Sequence, residues 1–349
     1  MNKKRLIYIH VGLSSFVKKD IEILSNEFQL VIFYFDLKSK LKLPLIFLKQ
    51  FFFILRKVRS TDGIVTQFGG YQSFLPSVLG RAFRKKSIII MGGTDSVSFP
   101  SIQYGCFYKQ YLKYFTRKSL EYSSLLLPVS ENLIECDYTY QKADYKRQGY
   151  KVHAPKVNTP AKTIYNGYNP NKWVFSSEKV ANSFITIAAD LGSRFGSKLK
   201  GIDLIINTAP KFPDCNFYIV GGDKLNEKLP ENVIPIGNMP NDELPKFISD
   251  KQFYLQLSMS EGFPNSLCEA MLCGAIPIVS NVGAMPKIVG ADGFILKEKS
   301  DIYLESIINL ALKSNKDSLA VAARKRIADN FSLSRRKNEL ISTISKHIK

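Results

Sequence analysis

Short runs of β-branched and aromatic residues recur along the chain, and between them apolar residues repeat at helical spacing. In the first half the runs are Arg5–Val11, Leu30–Phe35, Gly63–Phe68, Ser87–Met91, Ser124–Val129 and Lys162–Tyr165. In the second half they are Phe184–Ala188, Asn216–Val220, Asn232–Ile236, Phe253–Leu257 and Ala275–Ser280. Runs that are uniformly apolar, rather than alternating, predict strands covered on both faces, and hence parallel sheets flanked by helices. Two consecutive series predict two doubly wound α/β domains. The chain has 349 residues, which suits two domains at roughly 100–200 residues each. The boundary is placed in the Asn-, Pro-, Gly- and Ser-rich stretch Tyr165–Glu178. This gives a first domain over 1–168 and a second over 169–331, with a C-terminal helix over 332–349 packing back on the first.

Two helical segments stand apart. Lys38–Arg59 reads as a helix opening at Pro44, a tolerated first-turn position. At about 100° per residue, Lys42, Lys49, Gln50, Arg56, Lys57 and Arg59 gather on one side, and most of the remainder is Phe, Leu and Ile. Tyr104–Lys118 places Tyr104, Phe107, Tyr108, Tyr111, Tyr114 and Phe115 on one stripe, flanked by Lys109, Lys113, Arg117 and Lys118. Each segment fits an ordinary core-facing helix with solvated lysines, and equally a basic, aromatic surface resting on anionic lipid.

Charge sharpens that second reading. Lys and Arg total 49 against 30 Asp and Glu, a formal net charge of +19. Residues 1–170 carry 26 basic and 11 acidic side chains, +15, and the rest carry 23 and 19, +4. The partner of the first half is therefore expected to be anionic: a membrane surface, a phosphate-bearing acceptor or nucleic acid. No recognised RNA or DNA motif is present, so nucleic acid is set aside. Hydrophobic residues make up 45%, enough for packed cores, which excludes disorder as the main state. The five cysteines form no C-x-x-C pair and have no companion histidines, which argues against disulfide scaffolds and zinc sites and fits a reducing cytoplasm. The start MNKKRLIYIHVG reads as a first core strand rather than a signal peptide, since its apolar run is short and no small-residue cleavage site follows. The longest apolar stretch, Leu43 to Leu55, is interrupted by Lys49 and falls short of the roughly 20 residues that span a bilayer. The expected location is cytoplasmic, peripheral on the inner face of the plasma membrane.

The stretch richest in chemistry is Ser258–Pro286, SMSEGFPNSLCEAMLCGAIPIVSNVGAMP. A strand, FYLQLS, runs into a loop, then Glu261-Gly262-Phe263-Pro264-Asn265, then a helix predicted from Ser266 to Cys273. Gly274 ends that helix and a second strand follows. A loop at the carboxyl end of a strand, opening onto a helix N-terminus, is a ligand-binding arrangement. Backbone amides and the positive end of the helix dipole face whatever sits there, and a diphosphate is the natural guest. Glu261 sits at the rim. Glu269, eight residues on, is placed to accept two hydroxyl hydrogens from a diol, although either glutamate can simply complement the dipole.

These residues resemble the signature of retaining GT-B glycosyltransferases, in particular glycosyltransferase family 4: two glutamates, Glu261 and Glu269, with seven residues between them inside SMSEGFPNSLCEAMLCGAIPIVS. VSENLIE at 129–135 and TIYNGYNPNKW at 163–173 resemble the end of that family's first domain and its linker. Asp190–Ile205 resembles its phosphate-clamping segment; FYIVGGD at 217–223 and IGNMPNDELPKFISD at 236–250 resemble the next strand and the nucleobase loop. The resemblance covers most of residues 120–290 and is limited before that to Gly12 after the first strand. It implies two Rossmann-like domains facing a central cleft. It also implies that Glu261 contacts the donor sugar, that Glu269 holds the ribose hydroxyls, and that the turn Gly262, Phe263, Pro264, Asn265 and Ser266 holds sugar and phosphate. Arg194 and Lys200 would neutralise the departing nucleoside diphosphate, and Gly12, Gly222 and Met239 complete the donor site. Two cations and a helix N-terminus stabilise a leaving diphosphate without a metal, and no D-x-D triplet occurs, so no metal or other cofactor is expected.

The chain departs from the family pattern at several points. Where many relatives place a histidine after the fourth strand, this sequence reads MGGTDSVS. Asp95 in that Gly-rich loop is a candidate for orienting the acceptor hydroxyl, or else a turn or cap residue. Of the histidines, His10 closes the first strand, and His153 and His347 lie elsewhere. Asn169 stands where an aspartate is common and Lys287 where a glutamate is common, and Lys198 competes with Arg194 for the phosphates. The expected activity is retaining transfer from a nucleotide-diphosphate sugar, uridine or guanosine, to a glycan or lipid-linked acceptor in bacterial envelope polysaccharide assembly. The alternatives are a GT-B sugar-nucleotide epimerase, which needs more acid/base groups than this chain offers, and a glycosidase using the two glutamates as its carboxylate pair.

Overall fold

A computed structural model describes residues 3–37, 39–142, 145–188, 191–193, 195–225, 227–240 and 242–348. The chain forms two compact units, one of Met1–Asp137, Arg147–Asn166 and Ser334–Lys349, the other of Tyr138–Lys146 and Gly167–Leu333. The stretch 138–146, which a single division at 168/169 assigns to the first domain, thus lies in the second unit.

The first unit runs β1 (Arg5–His10), α1 (Ser15–Ser25), β2 (Gln29–Tyr34), α2 (Leu43–Lys57), β3 (Gly63–Gln67), α3 (Tyr71–Ala82), β4 (Lys86–Met91), α4 (Gln110–Tyr122) and β5 (Leu125–Pro128). A two-residue hairpin, β6 (Cys136–Asp137) with β7 (Arg147–Gln148), and a short α5 (Tyr150–His153) follow. Among the described residues the main sheet is five-stranded and parallel, in the order β2-β1-β3-β4-β5. The chain winds outward in both directions from β1 and β3, so the topological switch point lies between these two strands. Leu6 to Ile9, Ile64, Val65 and Ile88 to Met91 are buried, as both-face coverage predicts. β2 departs from it: Ile32 and Tyr34 are each 45% exposed on this edge strand.

Three further expectations are corrected. Lys162–Tyr165 runs beside β5, with Lys162 N donating to Leu126 O and Ile164 N to Pro128 O, but only the isolated bridge Leu126–Ala161 forms. The residue before it in the ladder, Pro160, has no N–H to give, so a full strand does not develop. The second aromatic helix starts at Gln110, not Tyr104. Tyr104 instead bridges Phe99, and Gly105 turns at φ +98, where a Cβ would lie 2.1 Å from Val97 O. Tyr104, Phe107 and Tyr108 therefore leave the stripe. Helix α2 does carry Pro44 in its first turn, but Gln50 is buried, its Nε2 donating to Gln72 O at 2.8 Å. The exposed side of α2 is mixed: Leu45, Leu48 and Phe52 stand among Lys49 and Arg56.

The second unit runs β8 (Val180–Ile187), α6 (Gly196–Lys200), α7 (Ile202–Thr208), β9 (Asn216–Val220), β10 (Val233–Ile236), α8 (Leu244–Ser249) and β11 (Lys251–Gln256). Then come α9 (Asn265–Leu272), β12 (Ile276–Ser280), α10 (Met285–Val289), β13 (Phe294–Leu296), α11 (Asp301–Lys313) and α12 (Lys316–Asn330). Among the described residues its sheet is parallel in the order β10-β9-β8-β11-β12-β13, with the switch point between β8 and β11. Phe184, Phe217 and Phe253 stack across three neighbouring strands, with centroids 4.9 and 4.7 Å apart. The edge strand β13 gives too short an apolar run to stand out in the sequence.

The last helix, α13 (Leu333–His347), returns the chain to the first unit. Arg336, 2% exposed, clamps the fully buried Asp20 of α1: Nε reaches Oδ1 at 2.8 Å and Nη2 reaches Oδ2 at 2.6 Å. Its Nη1 donates to the carbonyls of Ile164 and Tyr165, and Gln67 Nε2 adds a bond to Asp20 Oδ2. Such a pair is tolerated in a dry interior because nearly every donor and acceptor is satisfied.

Candidate active site

The motif Ser258–Pro286 lies at the carboxyl end of β11, beside the switch point of the second sheet. Past Gln256 the chain leaves the ladder, and at Pro264 it takes the extended N-cap conformation from which α9 starts. No side chain caps that helix start. Asn265 in its first turn accepts the Tyr168 hydroxyl at 2.6 Å. Helix α9 begins one residue earlier than the sequence pattern predicts, and ends before Gly274 at φ +79.

Lys200 and Glu261, assigned separate parts of the donor site by the sequence, meet directly: Nζ lies 2.7 Å from Oε1, with both side chains partly buried. Two glycines permit that approach. Gly201, at φ +72, closes α6 where a Cβ would lie 2.2 Å from Leu257 O, and Met259 N donates to Leu199 O at 2.8 Å. Gly283, at φ +56, passes the Glu261 carbonyl where a Cβ would lie only 1.9 Å away.

Gln256 organises the floor of the site. Its Nε2 donates to Ser258 Oγ at 2.8 Å and Glu261 Oε1 at 3.3 Å, and its Oε1 accepts from the Tyr254 and Ser266 hydroxyls at 3.0 and 3.1 Å. Burial holds the Tyr254 phenol far above its ordinary range, so it acts as a neutral donor here. Gln256 escaped the sequence reading because a strand-end glutamine belongs to no motif. The segment 138–146 escaped it as well. Tyr138 donates to Met259 O at 2.9 Å and Tyr140 to Leu257 O at 3.3 Å, bracing the loop from below.

The other predicted residues divide clearly. Gly262, Phe263, Pro264, Asn265 and Ser266 form the turn into α9, and Glu269 follows one turn later, half-buried. Lys198, the alternative to Arg194 for the phosphates, is exposed. Arg194 lies outside the described residues. Gly222 and Met239 lie in the loops after β9 and β10. In the first of these loops it is Gly221, at φ +87 with a Cβ position 2.2 Å from Ala188 O, that must be glycine. Gly12 belongs to the first unit, and a Cβ there would meet nothing within 4 Å.

Asp95, also in the first unit, is 1% exposed and accepts from the amides of Gly69 at 2.9 Å, Gly93 at 2.9 Å and Gly92 at 3.2 Å. This is the geometry of a turn-organising residue tying together the loops after β3 and β4, not of one presenting a carboxylate to a substrate. Burial raises its pKa, opposed by those amides. His10 is buried with a lowered pKa, His153 accompanies Gln148, and His347 accompanies Ser124. Among the described residues no group of three or more His, Cys, Asp or Glu is placed to hold a metal ion. Nor is any described helix long and apolar enough to cross a membrane.

Residues 193–330 match the family described as glycosyl transferases group 1. The gpi3 subunit of phosphatidylinositol N-acetylglucosaminyltransferase from Schizosaccharomyces pombe is 26% identical over 159 residues, covering 39% of this chain and 34% of its own length. O-antigen chain mannosyltransferase B of Escherichia coli is 33% identical over 60 residues, covering 17% of this chain and 16% of its own. The chain thus spans about a third or less of the length of these two relatives. The crystal structure of Anabaena HepE in complex with UDP and glucose superposes with a TM-score of 0.71 at 14% identity, covering 98% of this chain and 100% of that one. The fold is that of the GT-B glycosyltransferases, with two Rossmann-like units.

Proposed function

We propose that this chain, whose residues 193–330 form a group 1 glycosyltransferase domain, moves a sugar from a nucleotide-diphosphate sugar to a glycan or lipid-linked acceptor with retention of configuration. The observation that carries the reading is the 2.7 Å pair of Lys200 and Glu261 beside the start of α9. Glu261, oriented by Gln256, receives hydroxyls of the donor sugar. Lys200 and the first-turn amides of α9 take the charge that grows on the diphosphate as the glycosyl–phosphate bond breaks. Glu269 accepts the ribose hydroxyls. The acceptor oxygen bonds to the anomeric carbon from the leaving-group face, the bond pair departs on the diphosphate, and the acceptor proton passes to a phosphate oxygen. The charge is met by these groups, so the reading requires no metal.

The relatives support a lipid-linked or envelope acceptor, one being named for phosphatidylinositol and the other for an O-antigen chain. The +15 charge of residues 1–170 and the mixed apolar and cationic face of α2 favour a resting place on an anionic bilayer. The test is incubation with a panel of sugar nucleotides, followed by proton NMR of the product's anomeric coupling. Donor-dependent melting shifts and a product with the donor's configuration are expected. Inversion, or no response to any donor, overturns the reading. Activity should survive EDTA, and loss on chelation restored by Mg²⁺ or Mn²⁺ would contradict the metal-free route.

A further inference from the structure

The first unit holds a cavity of about 460 Å³ at the carboxyl ends of β1 and β3, the switch point of its sheet. Ligand pockets run to roughly 300–1,000 Å³, and open α/β sheets bind ligands at this position. The lining surface is mostly carbon, from Val11, Leu37, Leu43, Phe68, Tyr71 and Leu112, with Ser39, Gln72, Thr94, Asp95 and Cys106 as its polar members.

The cavity is built rather than left over. Phe68 adopts φ 66, a left-handed conformation that is costly for an aromatic residue and concentrates at functional sites. Its ring is seated where a Cβ on Gly92 would lie 2.1 Å away, and packs edge-on against Phe16. Asp95 fixes the Gly69, Gly92 and Gly93 amides behind it. Several of the polar groups at the wall are already engaged. Gln72 Nε2 donates to Phe68 O, Thr94 meets the Tyr104 hydroxyl at 3.2 Å, and burial pushes the Cys106 thiol up to about 12, so it stays neutral. A sugar ring here would leave most of its hydroxyls against carbon, a costly burial. A hydrocarbon chain loses nothing.

The surroundings indicate where such a chain comes from. Leu43 and Leu112 line the cavity, and their sequence neighbours stand in solvent: Leu41 is 95% exposed, Tyr111 82%, with Leu45 and Leu48 also exposed. Lys42, Lys49 and Lys113 lie among them and are exposed. Apolar tips within a cationic surround match the interface of an anionic bilayer.

We propose that this cavity holds the hydrocarbon chain of the lipid acceptor, drawn from the bilayer past Leu41 and Tyr111. The inference rests on the glycosyltransferase reading for the word acceptor, but the cavity's ligand is tested without catalysis. Octyl, decyl and dodecyl phosphate, below their micellar concentrations, are titrated into the full chain by calorimetry, with inorganic phosphate as the chainless probe. Affinity should rise about three- to fourfold per methylene that enters, and inorganic phosphate should not bind measurably. Farnesyl phosphate, titrated alongside, reads whether the cavity prefers an isoprenoid or a straight chain. Val11→Trp, which fills the cavity, and Leu112→Asp, which charges it, should each weaken dodecyl phosphate at least tenfold. Thermal melting checks that both variants fold. UDP and GDP are titrated in parallel into the unmodified protein and Leu112→Asp, and their affinities should stay unchanged in the variant because Lys200, Glu261 and Glu269 lie in the other unit. Affinity independent of chain length, or undiminished in both folded variants, overturns the proposal. Failure of UDP and GDP to bind the unmodified protein would instead overturn the donor reading and leave this result standing.

Discussion

Lys200 and Glu261 are 61 positions apart and share a 2.7 Å contact, so each is both a neighbour and a neutraliser of the other. If Lys200 carries charge that grows only as the diphosphate leaves, Lys200→Ala should lower kcat by on the order of 10²-fold with a smaller change in KM. A raised KM with unchanged kcat would show uniform binding instead. The contact of Lys200 with Glu261 joins two residues that the sequence singled out by different routes, Glu261 by its loop and its spacing from Glu269, and Lys200 by the family resemblance alone. Gln256 was not legible, since its four hydrogen bonds depend on partners that only the folded sheet assembles. Asp95 was legible as a residue of interest but not as to role, because burial alone separates a turn organiser from an acid. His153 contributes a pH dependence of its own. Burial, with help from Lys113, lowers the pKa of His153 from the ordinary 6.5 to about 4. The unfolded chain therefore takes up this proton first as pH falls below 6.5. The His153 contribution to stability should be fully present above pH 6.5 and be lost as pH falls towards 4. Urea unfolding at pH 5 and pH 7.5 should show the decline in the unmodified protein and a smaller one in His153→Gln. Equal slopes would place the dependence elsewhere.

Elements were legible where an apolar run met an ordinary strand length, as in β1, β3, β4, β9, β11 and β12. They were lost where geometry is set from a distance: β13 is only Phe294–Leu296, and α4 starts late because Gly105 bends the chain into the Phe99–Tyr104 bridge. The face of α2 was half legible, since the period was right but the buried partner of Gln50, the Gln72 carbonyl, lies on another helix. The clearest energetic claim at this scale concerns α13. Arg336→Leu leaves Asp20 charged and buried without its partner, which should cost about 3–5 kcal/mol in denaturant unfolding. Asp20→Asn combined with Arg336→Leu should recover part of that loss. A single variant as stable as the parent would mean that the clamp contributes nothing net.

At the scale of the molecule, two doubly wound units followed from the alternation of strands and helices, and the C-terminal helix returns to the first unit as expected, but the crossing of residues 138–146 was not foreseen. Residues 138–146 change units through contacts more than a hundred residues away, such as Tyr138 with the Met259 carbonyl, which no local pattern encodes. The charge asymmetry was legible throughout and sets the next expectation. The protein should sediment with anionic vesicles at low salt and poorly with neutral ones, each Lys or Arg near the surface contributing about 1 kcal/mol. Changing Lys49, Arg56 and Lys57 together to Gln should release it, and indifference to anionic vesicles at low salt would mean that the basic face serves a soluble partner. The central claim, that the second unit is a nucleotide-sugar site built on Lys200, Glu261 and Glu269, is tested most directly by calorimetric titration of UDP and GDP into the parent and Glu269→Ala. The account predicts that the parent binds at least one of them and that the variant binds it about 10- to 150-fold more weakly, the scale of hydrogen bonds to a charged group. No binding by the parent, or equal affinity in the folded variant, would contradict it.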